Sequence, residues 1–300
     1  MENNGILLES GTNELEIVEF GIGSNKFGIN VMKVKEILNA EAVVKIPHAH
    51  RFVEGIIQLR GEVLPVIDVS EALGFQPSGQ ADLDKFIVAE FNQQKAVFHV
   101  HNVSQIHRIS WSQIEKPSEM YQGADSQVIG VIKLNGDMVL LLDFEKIFVE
   151  INPESGINVN EIKKLGRRER SSKKILAAED SPLLRKLLHG TLSEAGYDNI
   201  EFFENGKEAL DYLEKLAEDG ADVTADVQLV ITDIEMPQMD GHHLARRIKE
   251  NPAFSKLPVI IFSSLITNDL RHRGNMVGAD GQVSKPEIAE LVLKIDELIL

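Results

Sequence analysis

A chain of 300 residues exceeds one ordinary small domain, so two domains are expected. Its 43% hydrophobic content supplies ample core and excludes a disordered chain, while a net charge of −16 argues against a nucleic-acid-binding face. With no cysteine there is no disulfide framework and no thiol chemistry. No apolar stretch reaches the length of a membrane span, and Met1-Glu2-Asn3-Asn4-Gly5 lacks the basic start of a secretory signal. A soluble cytoplasmic protein without direct membrane insertion is the expectation.

In chain order, the first half reads as β. Apolar runs at 15–22 and 27–31 flank the permissive turn Gly23-Ser24-Asn25-Lys26. Runs at 56–59 and 63–67 flank Arg60-Gly61-Glu62, and runs at 85–91 and 96–101 flank Asn92-Gln93-Gln94-Lys95. Runs at 128–134 and 137–142 flank Asn135-Gly136, a strong hairpin signal. Short helical pieces are predicted at 32–38 and 69–73. Many short strands with turns between them indicate an all-β barrel or sandwich. The histidines at 48 and 50, 99 and 101, and 107 are expected to face solvent or be hydrogen-bonded rather than hold a metal. Residues 152–172, with Lys163-Lys164 and Arg167-Arg168-Glu169-Arg170, read as a solvated linker.

The second half alternates strand and helix, the pattern of a doubly wound parallel sheet. A strand at 174–178 precedes a helix opened by Ser181-Pro182, a cap residue followed by Pro at the first helical position. A strand at 200–203 precedes a helix opened by Asn205, with Glu208 three positions on. The alternation continues to the Leu-rich end of the chain.

The polar residues that end these strands carry the chemistry. Glu179-Asp180 follows the first strand, Asp233 follows the apolar run at 227–231, Ser263 ends the run at 258–262, and Lys285 follows 281–284. In an open parallel sheet such ends converge on one edge, where ligands bind. Three carboxylates there would repel one another, and a hard cation such as Mg²⁺ relieves the repulsion. Asp233 then suits nucleophilic attack on phosphorus, with Lys285 neutralising phosphoryl oxygens and Ser263 donating a hydrogen bond to one.

This constellation, with Met236-Pro237, Asp240-Gly241 and Lys285-Pro286, resembles the receiver domain of two-component response regulators over about 173–300. The resemblance implies a flavodoxin-like fold. It implies that Asp233 is the phosphoacceptor and that Glu179, Asp180, Asp233 and the backbone carbonyl of Glu235 bind Mg²⁺. It places Ser263 as the switch hydroxyl and Lys285 on the phosphate. Two departures stand out. Gln282 occupies the position of a switching aromatic, and residues 215–226 are read as a surface insertion.

The segments at 27–37, 52–68 (with Gly55 and Leu59-Arg60-Gly61) and 135–146 resemble the CheW-like chemotaxis coupling domain over about 12–151. This implies paired SH3-like small barrels. It also implies a scaffold that binds the cytoplasmic tips of chemoreceptors and the CheW-like domain of the chemotaxis histidine kinase. Arg60 and Gly61, with Val31 and Glu36, are the contact candidates. A CheW-like domain followed by a receiver resembles the CheV arrangement. It implies a non-enzymatic coupling adaptor, phosphorylated on Asp233 by the kinase and able to drain phosphate from it. Two other readings are weighed. The chain would be the C-terminal portion of a hybrid chemotaxis kinase only as a fragment. A Mg²⁺-dependent aspartyl-phosphate phosphatase would place its Asp-x-Asp after the first strand of the fold, whereas Asp233-Ile234-Glu235 follows the third.

Overall fold

Apolar runs separated by tight turns build two five-stranded sheets in the first half of the computed structural model. The structure describes residues 13–91, 94–116, 127–134, 136–153, 160–163, 165–166, 168–220, 222–264, 268–285 and 287–300. The turn residues Asn92, Gln93 and Asn135, the basic residues Lys164 and Arg167, and Pro286 lie outside the described residues, as do residue 12 and residues 154–159 between the halves. The chain divides into two units. One holds Leu15–Ile109 and Gln113–Ser155, and the other holds Gly156–Leu300 together with Ser110–Ser112 and the segment ending at Glu14.

One sheet joins β1 (Glu14–Ile22), β2 (Asn25–Asn30), β8 (Asn102–Ser110), β9 (Val128–Leu134) and β10 (Asp137–Leu142) in the order β8-β1-β2-β10-β9. The other joins β3 (Val34–Asn39), β4 (Val53–Leu59), β5 (Glu62–Asp68), β6 (Lys85–Phe91) and β7 (Gln94–Val100) in the order β3-β6-β7-β5-β4. Each sheet has one parallel pairing, β2 with β10 and β5 with β7, next to an antiparallel hairpin.

The two hairpins repeat one device. Hairpin β4–β5 turns through Arg60-Gly61, and Gly136 lies in the connection of hairpin β9–β10. Gly61 (φ 89°) and Gly136 (φ 91°) take a backbone conformation that costs glycine least. Each hairpin ends in an aspartate that caps a helix. Asp68 accepts from Ser70 N–H ahead of α1 (Val69–Ala72), and Asp143 accepts from Lys146 N–H ahead of α2 (Phe144–Ile151). Helix α2 inserts Phe144, Ile147 and Phe148 into a core with Phe20, Phe27, Phe52, Phe91 and Phe98. Phe98 meets Phe144 edge to face at 4.5 Å between ring centres.

The predicted helix at 32–38 does not form. A 3₁₀ turn at Val31–Lys33, with Asn30 Oδ1 accepting from Met32 N–H, leads directly into β3. Burial in β3 alternates residue by residue, with Val34, Glu36 and Leu38 half-covered and Lys35, Ile37 and Asn39 exposed. That period of two belongs to a strand. Strand β8 lies beyond the predicted run that ends at His101. It is a sheet edge whose residues are mostly polar and exposed, so no apolar alternation announces it.

The second unit is a five-stranded parallel sheet in the order β12-β11-β13-β14-β15. Its strands are β11 (Ile175–Ala178), β12 (Ile200–Phe203), β13 (Leu229–Thr232), β14 (Val259–Ser263) and β15 (Gly281–Ser284). This is the flavodoxin-like order. Between the strands lie α4 (Pro182–Glu194), α5 (Gly206–Glu218), α7 (Gly241–Glu250) and α8 (Asn268–Met276), and α9 (Ile288–Ile299) follows the last. On one face α5 and α7 bury Leu210, Leu213, Leu244 and Ile248. On the other α4 and α9 bury Leu188, Leu192, Leu291 and Ile295. The predicted caps form. Ser181 Oγ accepts from Leu184 N–H, and Asn205 Oδ1 accepts from Glu208 N–H.

Residues 215–226 are not a simple surface insertion. Helix α5 runs on to Glu218, and the one-turn helix α6 (Val223–Asp226), capped by Asp222, sends Val223 into the core beside Val227. Part of the predicted solvated linker is likewise engaged. Ile162, in α3 (Asn160–Lys163), is 2% exposed and packs in the α4–α9 core. Arg168 donates to the Ala195 carbonyl and to Asp296 on α9. Deleting a buried aliphatic side chain leaves a cavity, so Ile162→Ala should destabilise this unit by about 2–5 kcal/mol. The check is denaturant unfolding of the two proteins, and a receiver fragment begun at 160 should melt above one begun at 173.

Candidate functional site

The parallel sheet aligns the carboxyl ends of its strands. Ala178 is level with Thr232, and Ser263 is level with Ser284. The residues that follow therefore meet at one edge. Glu179, Asp180 and Asp233 each offer a carboxylate oxygen within 4.8 Å of the others. Among the described residues, no other group of three or more metal-ligating side chains lies so close.

Lys285 closes the cluster from β15. Its Nζ donates to Glu179 Oε2 at 2.8 Å and to Asp233 Oδ2 at 3.0 Å, and its side chain is 3% exposed. The other Asp233 oxygen, Oδ1, accepts from Ile234 N–H at 2.6 Å. Glu179 Oε1 accepts from Ser181 N–H. Burial pushes the Glu179 carboxyl up to about 7, opposed by the Lys285 ammonium and assisted by the charge of Asp233. A buried carboxylate short of positive charge, in an all-oxygen donor set, fits a hard divalent cation.

The backbone around Asp233 is fixed from several sides. Asp233 N–H donates to the Ala178 carbonyl, and Thr232 Oγ1 donates to the Asp233 carbonyl. A Cβ at Gly241 would lie 1.9 Å from that carbonyl oxygen, so only glycine fits there. Ser263 is fully buried at the end of β14. Glu235 lies half-buried two residues beyond Asp233. Gln282, at the expected aromatic position, donates through Nε2 to the Arg271 carbonyl and to Asn275 Oδ1 on α8. This ties β15 to α8 by an amide rather than a ring.

One residue of the site gives no signal in the sequence. Arg185 on α4 donates through NH1 to the carbonyls of Glu179 (2.7 Å) and Asp180 (3.0 Å), and through NH2 to Glu204 Oε1 (3.0 Å). Its acceptors are mostly backbone, and backbone carbonyls leave no side-chain signature.

In the first unit, Arg60 (φ 50°) and Gly61 form the tip of hairpin β4–β5. The Arg60 side chain is 78% exposed and pairs with Glu36 Oε2 at 2.7 Å. Glu62 and Asp68, its nearest acidic neighbours in sequence, are engaged elsewhere, Glu62 with Lys95 and Asp68 in capping α1. Two expected contact residues thus meet. Val31 is half-buried, with its covered side packed against the aromatic core. His107 bonds to Glu19, and His101 Nδ1 accepts from Gly23 N–H. His99 bridges Glu54 Oε2 (Nδ1, 2.8 Å) and Asp84 Oδ2 (Nε2, 3.1 Å).

A CheW-like domain model matches residues 16–152, and a response regulator receiver domain model matches residues 175–296. The chain is 30% identical over 300 residues to the chemotaxis protein CheV3 of Helicobacter pylori, covering 95% of each chain. It is 26% identical over 304 residues to CheV1 of the same organism, covering 94% of this chain and 93% of that one. A probable chemotaxis protein CheW of Rhizobium etli is 30% identical over 141 residues, which is 47% of this chain and 91% of that protein.

The His99 bridge makes a pH prediction. Burial draws the imidazole pKa down, but the hydrogen bonds and charges of Glu54 and Asp84 outweigh it, and the net shift is upward from 6.5. A raised folded-state pKa stabilises the fold fully below the unfolded value and loses that contribution as pH rises through the folded value. The stability difference between the parent and His99→Gln should therefore be largest in mild acid and shrink as pH rises above about 6.5. Thermal melts across that range, with an NMR titration of His99, make the check.

Proposed function

Because this chain belongs to the CheV family, a CheW-like coupling domain fused to a receiver, we propose that it is a chemotaxis adaptor whose coupling is set by phosphorylation of Asp233. The observation that carries this reading is the buried Lys285 ammonium shared by Glu179 and Asp233, with Asp180 beside them. In this reading residues 12–151 couple and 173–300 receive, while the connecting stretch 152–172 lends Ile162 and Arg168 to the receiver's packing.

The donor is the phosphohistidine of the chemotaxis histidine kinase. A carboxylate oxygen of Asp233 attacks phosphorus, a P–O bond forms, and the P–N bond to the imidazole breaks. Glu179, Asp180, Asp233 and the Glu235 carbonyl would hold Mg²⁺, which when bound neutralises charge on the phosphoryl oxygens. Lys285 turns part of its hydrogen bonding from Asp233 to the new phosphoryl group, and Ser263 donates to another of its oxygens. Loss of the Asp233 partner at Lys285 and the new bond at Ser263 shift the population of receiver states, and that shift is the output. Hydrolysis in the same pocket lets the protein act as a phosphate sink. It catalyses nothing else. In the cytoplasm the coupling half joins chemoreceptor tips to the kinase, with Arg60, Gly61, Glu36 and Val31 near the contact.

Asp233→Asn should abolish labelling by phospho-kinase or by acetyl phosphate, read as radiolabel on the protein. Undiminished labelling would overturn the assignment. Asp180→Asn should bind Mg²⁺ more weakly than the parent by calorimetry.

Arg60 makes a separable prediction. Its ion pair with Glu36 is exposed and contributes little to stability. Arg60→Ala should leave Tm almost unchanged and weaken association with receptor or kinase by about 1–2 kcal/mol. A pull-down beside a thermal melt separates the two effects.

A further inference from the structure

A cation near the start of a helix is disfavoured, because the unpaired N–H groups there form the positive end of the dipole. Arg185 is the fourth residue of α4, with Ser181 as cap and Pro182 first. Its guanidinium does not turn outward. The side chain is 18% exposed and folds back over the helix start. There NH1 serves two consecutive carbonyls, Glu179 and Asp180, while NH2 reaches Glu204, just beyond β12.

The two carbonyls belong to the peptide units on either side of Asp180. Each peptide unit is planar. Orienting both planes fixes φ and ψ of the residue between them, and so the direction in which the Asp180 side chain leaves the backbone. The Glu204 contact anchors the guanidinium to the neighbouring strand. The same loop is held at its start by Glu179 N–H donating to the Phe203 carbonyl and at its end by the Ser181 cap.

We propose that Arg185 is a positioning residue that presents Asp180 to the divalent cation, an inference that rests on the metal site proposed above. The sign of its effect separates this role from simple electrostatics. As a charge alone, Arg185 repels a cation from the cluster, so its removal would tighten Mg²⁺ binding. As a positioning residue, its removal loosens the loop and weakens binding.

The test is Mg²⁺ titration of the full chain by calorimetry, with Tm recorded for each protein. Arg185→Ala should weaken Mg²⁺ binding about tenfold, the scale of an outer-shell partner. Arg185→Lys keeps the charge but loses the fork that spans two carbonyls and a carboxylate, so it should fall between parent and alanine variant. Glu204→Gln keeps the carbonyl contacts and should bind almost as the parent does. Unchanged or tighter Mg²⁺ binding by a folded Arg185→Ala overturns the inference. If the alanine variant fails to fold, Arg185→Lys with parental affinity overturns it instead. Asp180→Asn is the control on the site itself. Should it match the parent, the metal site as proposed falls, and this inference falls with it.

Discussion

A single buried ammonium holds the receiver's working edge together. Lys285 lies between Glu179 and Asp233, which come from two strands that are not its neighbours in sequence. Two acids and one base out of water are stable only if each charge has a partner and the remaining lone pairs are met. The surroundings meet that demand. Ile234 N–H serves Asp233, Ser181 N–H serves Glu179, and Gly241 lets the chain pass close to the Asp233 carbonyl. The strand order β12-β11-β13-β14-β15 is what brings these groups to one place. The helices behind it supply the burial that makes the charges matter, since Coulombic interaction strengthens as water is excluded. Burial raises the Glu179 carboxyl even with Lys285 beside it, and with Asp180 adjacent the carboxylates outnumber the ammonium. A site left in that state responds strongly to any ligand that alters its charge.

The coupling half works on another principle. Among its described residues, no three metal-ligating side chains gather as Glu179, Asp180 and Asp233 do. Its order comes from a shared aromatic core into which α2 is set and from hairpins whose turns and caps are chemically specified. Polar residues there bind elements to one another, as His99 does between Glu54 and Asp84. A rigid frame with exposed tips suits a scaffold better than a pocket would.

Legibility in the sequence followed the kind of signal each feature leaves. The acidic pair, Asp233, Ser263 and Lys285 were readable because each closes an apolar run, and a parallel sheet turns such endings into a site. The caps at Ser181 and Asn205 were readable because side-chain chemistry marks a helix start. The stretch after Asn30 misled because Val34, Ile37 and Leu38 fit a helical spacing as well as a strand. Only the edge of β6 decides between them, and that edge is distant in sequence. Val223 and Ile162 were hidden in polar surroundings, each a lone apolar residue whose partner is set by tertiary packing. Arg185 was invisible for a different reason, since what it binds is the backbone of its neighbours.

The hairpin-and-cap device of the coupling half limits what its turns can carry. Gly61 and Gly136 make the turns, and Asp68 and Asp143 start the helices, so the backbone of each copy depends on these four positions. Arg60, the residue before Gly61, is held in the same left-handed backbone region (φ 50°), which asparagine or glycine adopts more readily, so its cationic side chain stands there at a cost to the turn. An exchange at that tip is therefore weighed twice, once for the side chain it exposes and once for the turn it strains.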